Sequence, residues 1–252
     1  MSGKPITTPA ILVGQINYRE ADRIVKLLTP KLGLVSALAR SVRSSRRRFT
    51  GILDYGNHVE ATIRPGGGEL WHLQSTKLVN SRDATRQNFE RLTLMTYACE
   101  VTAALARADH PEPQLFGLLD MTCLLLDGIT TPPPALFRLA FEAKVLTFCG
   151  LTPVLNRCLN CSGAIQDSVD ESWCFDPLQS AAMHTHCNHG SAHPVETQWL
   201  MGIETARKTP LRDTLNVDTP PGPLWMLTAL IENHIGRRLR SRKLLDSLIT
   251  DE

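Results

Sequence analysis

The sequence predicts a multi-domain α+β protein in which an N-terminal β-barrel of the OB-fold type is followed by an all-helical domain carrying a ribbon-like insert. Three observations predict it. Residues 6–78 read as short runs rich in Val, Ile and Thr, broken by turn residues. After Ser81 the apolar period lengthens from about 2 to about 3.6 residues. Residues 156–198 then lose periodicity and collect Cys, His, Gly and Asn.

Taken in order, residues 11–13, 23–28 and 33–38 are the first three strands. Residues 51–55 running into 58–63 form the next, and residues 70–75 the last, with Pro65-Gly66-Gly67-Gly68 between them as a turn. Such short strands, with no long helical pattern among them, suit a small closed barrel. Phe89, Leu92, Met95, Val101 and Leu105 then recur at helical spacing. A second helix covers 115–129 and stops at Thr131-Pro132-Pro133-Pro134; a third covers 135–149, with Gly150 where a helix-terminating glycine belongs. Beyond Pro220-Pro221-Gly222-Pro223, residues 224–248 return to helix. The expected boundaries are 1–80 for the barrel and 81–252 for the helical domain, with 156–198 as its insert.

Composition narrows the function. With 42% hydrophobic and 21% charged residues among 252, the chain has the make-up of a folded protein, not a disordered one. The net charge of +2 conceals an asymmetry: residues 1–80 hold 12 Lys+Arg against 5 Asp+Glu, and residues 233–252 hold 5 against 3, so the middle is acidic. Basic segments seek polyanions, and nucleic acid is the expected partner. No apolar run reaches the roughly 18 residues of a membrane span, and Met1-Ser2-Gly3-Lys4-Pro5 lacks a signal peptide's apolar core. A cytoplasmic protein without a membrane partner is expected. Seven cysteines, an odd number with one C-x2-C pair, point to metal or free thiols.

The sharpest motif is Cys158-Leu159-Asn160-Cys161, followed by His184-Thr185-His186-Cys187. Two knuckles of this spacing suit the tetrahedral thiolate and imidazole shell of a structural zinc ribbon, so Cys158, Cys161, His184 and Cys187 are the expected ligands of one Zn²⁺. A complete shell leaves no position for a catalytic water. Cys174, His186 and His189 are spare donors, any of which could replace a member of the set. Cys99, Cys123 and Cys149 sit on apolar helical faces as buried small hydrophobes.

The second motif places Arg40, Arg43, Arg46, Arg47 and Arg48 between the third and fourth strands, interleaved with serines. Clustered guanidinium forks match phosphate oxygens, and the segment is the expected phosphate clamp. Tyr18, Phe49, Tyr55 and Trp71 fall in the barrel, where aromatic faces either stack on bases or fill the core. The C-terminal helix carries Arg240 and Arg242 beside an apolar stripe of Ile231, Ile235, Leu239 and Leu245; its arginines extend the DNA surface or merely complement the helix dipole. No phosphate-binding loop, nucleophile elbow, H-E-x-x-H or dinucleotide fingerprint occurs, so an enzyme reading has no anchor. Two rival classes are a zinc-dependent nucleic-acid hydrolase with one open metal position and a zinc-ribbon DNA-binding regulator.

The order of these parts resembles the RecO family of bacterial recombination mediators over nearly the whole chain. The resemblance rests on Thr29-Pro30-Lys31-Leu32-Gly33 leading into residues 39–46, on Pro134-Ala135-Leu136-Phe137-Arg138, on the C-x2-C pair, and on Leu239-Arg240-Ser241-Arg242. Ser41 stands where the family usually has glycine, and His184-x2-Cys187 where its zinc-binding members have a second C-x2-C. The resemblance implies binding of single- and double-stranded DNA, strand annealing in DNA repair, and work with RecR to load RecA onto DNA coated by single-strand-binding protein. It further implies a helical-domain spot for that protein's acidic-hydrophobic C-terminal tail. Arg138, beside Leu136 and Phe137, is the candidate for its carboxylate.

Overall fold

The structure, a computed structural model, describes residues 3–42, 51–66, 68–165, 172–190, 192–217 and 222–247. The first five strands are β1 (Ile6–Tyr18), β2 (Asp22–Thr29), β3 (Gly33–Ala39), β4 (His58–Arg64) and β5 (Trp71–Asn80). They form a closed barrel in the order β1-β2-β3-β5-β4. Closure depends on the length of β1: its first half, from Ile6 to Ile11, pairs with β4, and its second half, to Tyr18, pairs with β2. The ring is completed by β3 and β5, which run parallel through Ala37–Trp71, Leu38–His72 and Ala39–Leu73. Alternation sends Leu12, Val25, Leu27, Val35, Ala37, Val59, Ala61, Ile63 and Leu73 into one buried core.

The fourth predicted strand differs from expectation. Residues 51–57 are turns, and only His58–Arg64 is strand. Gly51 and Gly56 take φ of 71° and 77°, outside the strand region. The buried Asn57 side chain donates to the carbonyls of Gly51 and Ile52, and Leu53 still joins the barrel core. An apolar run thus serves as a plug instead of a ladder member.

Helices α1 (Asp83–Arg86), α2 (Phe89–Leu105) and α3 (Pro113–Gly128) follow. The Thr29–Gly33 turn explains its own sequence: Leu32 N–H donates to Thr29 Oγ1, which donates to Gly33 O, at 3.0 and 3.1 Å. At Gly33, φ is 64° and an added Cβ would lie 2.1 Å from Arg107 O, so only glycine fits. Farther round, the buried Arg82 guanidinium donates to Asp120 Oδ1 at 2.8 Å, and His58 Nδ1 lies 3.2 Å from Asp120 Oδ2. Burial alone would raise the Asp120 pKa; His58 and Arg82 outweigh it and hold the carboxyl below its ordinary value.

The chain divides into two compact units, Met1–Pro132 with Leu239–Glu252, and Pro133–Arg238. The second unit holds α4 (Ala135–Phe148), strands β6 (Trp173–Asp176), β7 (Ala181–His184) and β8 (His193–Val195) in the order β7-β6-β8, then α5 (Thr197–Lys208) and α6 (Trp225–Ile235). Instead of one terminal helix over 224–248, α6 stops at Gly236, whose φ of 67° ends it in a left-handed turn. A separate helix, α7 (Arg242–Ser247), belongs to the first unit. Among the described residues no helix is long and apolar enough to cross a membrane.

Candidate functional site

The C-x2-C knuckle is built by backbone bonds. Cys158 N–H donates to Gly163 O at 2.8 Å and Ser162 N–H to Cys158 O at 3.0 Å, while Ser162 sits at φ 62°. Leu159 N–H donates to Ala182 O, which fastens the knuckle to β7. His184 is the last residue of β7, and a 3₁₀ turn over Thr185–Cys187 carries Cys187 round to the same place. Asn160 Nδ2 donates to Cys187 O at 2.6 Å and ties the two knuckles together.

The donor atoms of Cys158, Cys161, His184 and Cys187 all lie within 4.8 Å of one another, and the group could hold a metal ion. Thiolates at ~2.3 Å from a tetrahedral ion are spaced by about 3.8 Å, so the set needs only a small contraction. Cys161 Sγ lies 3.2 Å from His184 Nδ1. At Gly163 an added Cβ would lie 3.0 Å from His184 Cε1 and 3.4 Å from Cys161 Sγ, which leaves this wall bare for the imidazole and thiol. Burial works against ionising Cys158, yet the N–H groups of Cys161, His184 and Asn160 prevail and lower its pKa to about 7. Burial, then hydrogen bonding to Cys161 and Cys158, raises Cys187 to about 11. Crowded thiols of this kind ionise together when a cation neutralises them.

The spare donors are not members of this four-residue group. Cys174 is buried in β6 with Sγ 3.4 Å from Met183 O, and burial raises its pKa. The exposed His186 ring stacks on His184 at 5.1 Å, and His189 is exposed. Cys99 and Cys123 are wholly buried, and Cys149 partly. A hydrogen bond to Cys123, then burial, holds the Cys99 thiol well above its ordinary pKa.

Of the predicted phosphate clamp, Arg40 is exposed at the end of β3, while Arg43, Arg46, Arg47 and Arg48 lie outside the described residues, as does Phe49. Ser41, the next residue, adopts φ 55°, and its N–H donates to Asp22 Oδ1 at 2.8 Å. The carboxylate offsets part of the left-handed cost that glycine would avoid. Tyr18 is 37% exposed with the Arg19 guanidinium 5.3 Å over its ring, whereas Trp71 packs partly buried on the barrel core and Tyr55 is half-buried.

In the tail, Arg240 is exposed and Arg242 half-buried. Glu100 of α2 holds this segment, accepting from Arg240 N–H, Ser241 N–H and Ser241 Oγ at 2.7 to 2.9 Å. Arg138 is not a surface residue: it is 4% exposed, with Nε donating to Glu142 Oε1 at 2.9 Å and an Nη to Thr228 Oγ1 at 2.8 Å. A docking carboxylate would have to displace Glu142, itself fully buried. The sequence offered one sign of this, the Arg/Glu spacing of four along a helix, but such pairs are commonly exposed.

Both halves of the chain match models of recombination proteins: residues 1–82 match the N-terminal domain of recombination protein O, and residues 86–203 its C-terminal domain. The chain is 32% identical over 249 residues to a DNA repair protein RecO of Anaeromyxobacter sp. (strain K), covering 94% of each. Similar proteins carrying that name occur in Myxococcus xanthus (31% over 237 residues, 92% of this chain and 93% of the relative) and Symbiobacterium thermophilum (30% over 246 residues, 94% and 95%). Fold and matches therefore define a recombination and repair protein with an N-terminal closed barrel. The chain belongs to the RecO family.

Proposed function

We propose that this protein is a DNA-binding, strand-annealing recombination mediator that acts with RecR to load RecA onto single strands coated by single-strand-binding protein. It works by binding, without a catalytic step, in the bacterial cytoplasm at the nucleoid. The observation that carries the reading is a closed barrel whose third strand is followed at once by the exposed Arg40, with four more arginines on the next eight positions of the sequence. Arg40, Arg43, Arg46, Arg47 and Arg48 neutralise phosphates of single- or double-stranded DNA, and Arg240 and Arg242 extend that contact. The helical part receives the acidic-hydrophobic tail of single-strand-binding protein, where Arg138 acts from within, by fixing Glu142 and Thr228, and not by touching the tail.

Cys158, Cys161, His184 and Cys187 hold one Zn²⁺, for which thiolate and imidazole are preferred donors. With all four positions taken by protein, the ion would stabilise the insert and supply no reaction. The test is a filter-binding titration of unrelated DNA sequences with Arg46, Arg47 and Arg48 changed together to Ala. Affinity should fall for every sequence alike; unaltered affinity would overturn the assignment.

A further inference from the structure

On the outside of the barrel, three neighbouring strands bring basic groups to one notch. Strand alternation puts Ala37, Ala39, Ile63 and Leu73 inside the barrel and leaves Leu38, Arg40, Arg64, His72 and Gln74 on the outer side. His72 pairs with Leu38 on one side and with Arg64 on the other, so these three form a row across β3, β5 and β4. Arg40 continues β3 one step beyond its last paired residue, Ala39. Together Leu38, Arg40, Arg64, His72, Leu73 and Gln74 line a cavity of about 220 Å³.

Three features define what the cavity takes. Its charge is positive: among the described lining residues there are two arginines and a histidine and no carboxylate. Arg64, a lining residue, has no ion pair among the described residues, so its charge is not neutralised by a described carboxylate. The wall beside His72 is kept bare, because a Cβ at Gly66 would lie 2.1 Å from Leu70 O and 3.3 Å from His72 Nε2. The volume is below the roughly 300–1,000 Å³ of sites for whole small molecules, which suits a single anionic group. Its two apolar members, Leu38 and Leu73, are 8% and 6% exposed, leaving nothing to anchor the apolar side chains of an acidic peptide.

We propose that Arg64 and His72, with Arg40, form a phosphodiester seat on the outer face of the barrel, which holds one phosphate of a DNA strand. The seat rests on the DNA-binding reading above and adds to it two residues outside the arginine clusters. Arg64 supplies the fork, its terminal guanidinium nitrogens facing the phosphate oxygens. His72 donates from one wall of the notch, and Arg40 closes another.

The test uses the full chain and a fluorescein-labelled oligothymidylate longer than the roughly 4–16 nucleotides that one such barrel covers, followed by anisotropy over a range of salt. Arg64→Gln should weaken binding about tenfold, the equivalent of one charge-assisted hydrogen bond, and should flatten the log K against log[salt] slope by about 0.7. Arg64→Lys should restore the slope while leaving part of the affinity lost, a pattern that a purely structural role would not produce. His72→Gln should weaken binding by less and leave the melting temperature unchanged. Wild-type affinity and slope in the Arg64→Gln, His72→Gln double variant, while the Arg46/Arg47/Arg48 triple variant loses binding, would overturn the seat and leave the broader reading standing. An unmodified protein that does not bind the oligonucleotide would overturn both. If oligoglutamate binding, and not oligothymidylate binding, is what Arg64→Gln abolishes, the seat belongs to an acidic peptide and the proposal fails.

Discussion

The barrel of β1 to β5 closes on twelve buried residues from every strand and the 51–57 plug, and each of its strands is bonded on both sides. The three-stranded sheet of β6 to β8 is built from strands of four, four and three residues, and beside it two knuckles gather three thiols and an imidazole. The first region supplies its own stability by burial; the second has strands too short to do so alone and concentrates metal-ligand chemistry instead. The division also separates the proposed roles: the described basic residues Arg40, Arg64, His72, Arg240 and Arg242 belong to the first unit, and the metal-ligand group to the second.

Metal removal should distinguish the two regions most sharply. Chelation, or Cys161→Ala, should cost about 4 kcal/mol, the stabilisation given by a ligand present at ~1,000 times its Kd. Loss of Trp173 fluorescence structure on heating should report it, because that ring lies 4.2 Å from His184. A melting curve indifferent to chelator would remove the metal from the account of the insert. Of similar size, Arg138→Ala should cost about 3–5 kcal/mol by removing the guanidinium from its buried pair with Glu142, measured by urea denaturation. A loss of tail binding with unchanged stability would return Arg138 to the surface. In the barrel, Leu27→Ala should cost roughly 2–5 kcal/mol with the metal content unaltered by atomic absorption.

Acid offers a finer probe. The Asp120 pKa is depressed in the folded state, so its contribution is complete above the ordinary carboxylate range and is lost as pH falls through the lower folded value. Asp120→Asn should therefore lower stability at neutral pH and remove that part of the acid sensitivity, as read from urea midpoints between neutrality and acid. The smallest effect belongs to Ser41→Gly. Relief of the left-handed cost, ~1–2 kcal/mol, is offset by glycine's greater unfolded entropy, for a gain of less than about 1 kcal/mol in thermal melts.

How much of this was legible follows from which signals are local. Ligand spacing in Cys158-x2-Cys161 and His184-x2-Cys187 is local, and the four side chains converge as that spacing requires. So is the break after Arg64 at Pro65-Gly66, where β4 stops, and the change to helix after Ser81. The run at 51–55 misled because its apolar Ile52 and Leu53 are indeed core-facing; what denies them a ladder is Asn57 bonding back to Gly51 and Ile52. Helix α5 is not among the expected elements, although Leu200, Ile203 and Ala206 mark its buried side at spacings of three, because Thr197, Gly202 and Thr205 weaken its helical signature. Gly236 was a visible stop inside the expected terminal helix. The burial of Arg138 was invisible, since it is decided by Thr228, ninety positions away.

The most direct test of the division is to anneal complementary oligonucleotides with two full-length variants, below the melting temperature of each. The Arg46, Arg47, Arg48 to Ala variant should lose annealing at least about tenfold, the equivalent of one charge-assisted contact, while Cys161→Ala should anneal at the wild-type rate. Annealing abolished by Cys161→Ala and untouched by the arginine changes would contradict that division.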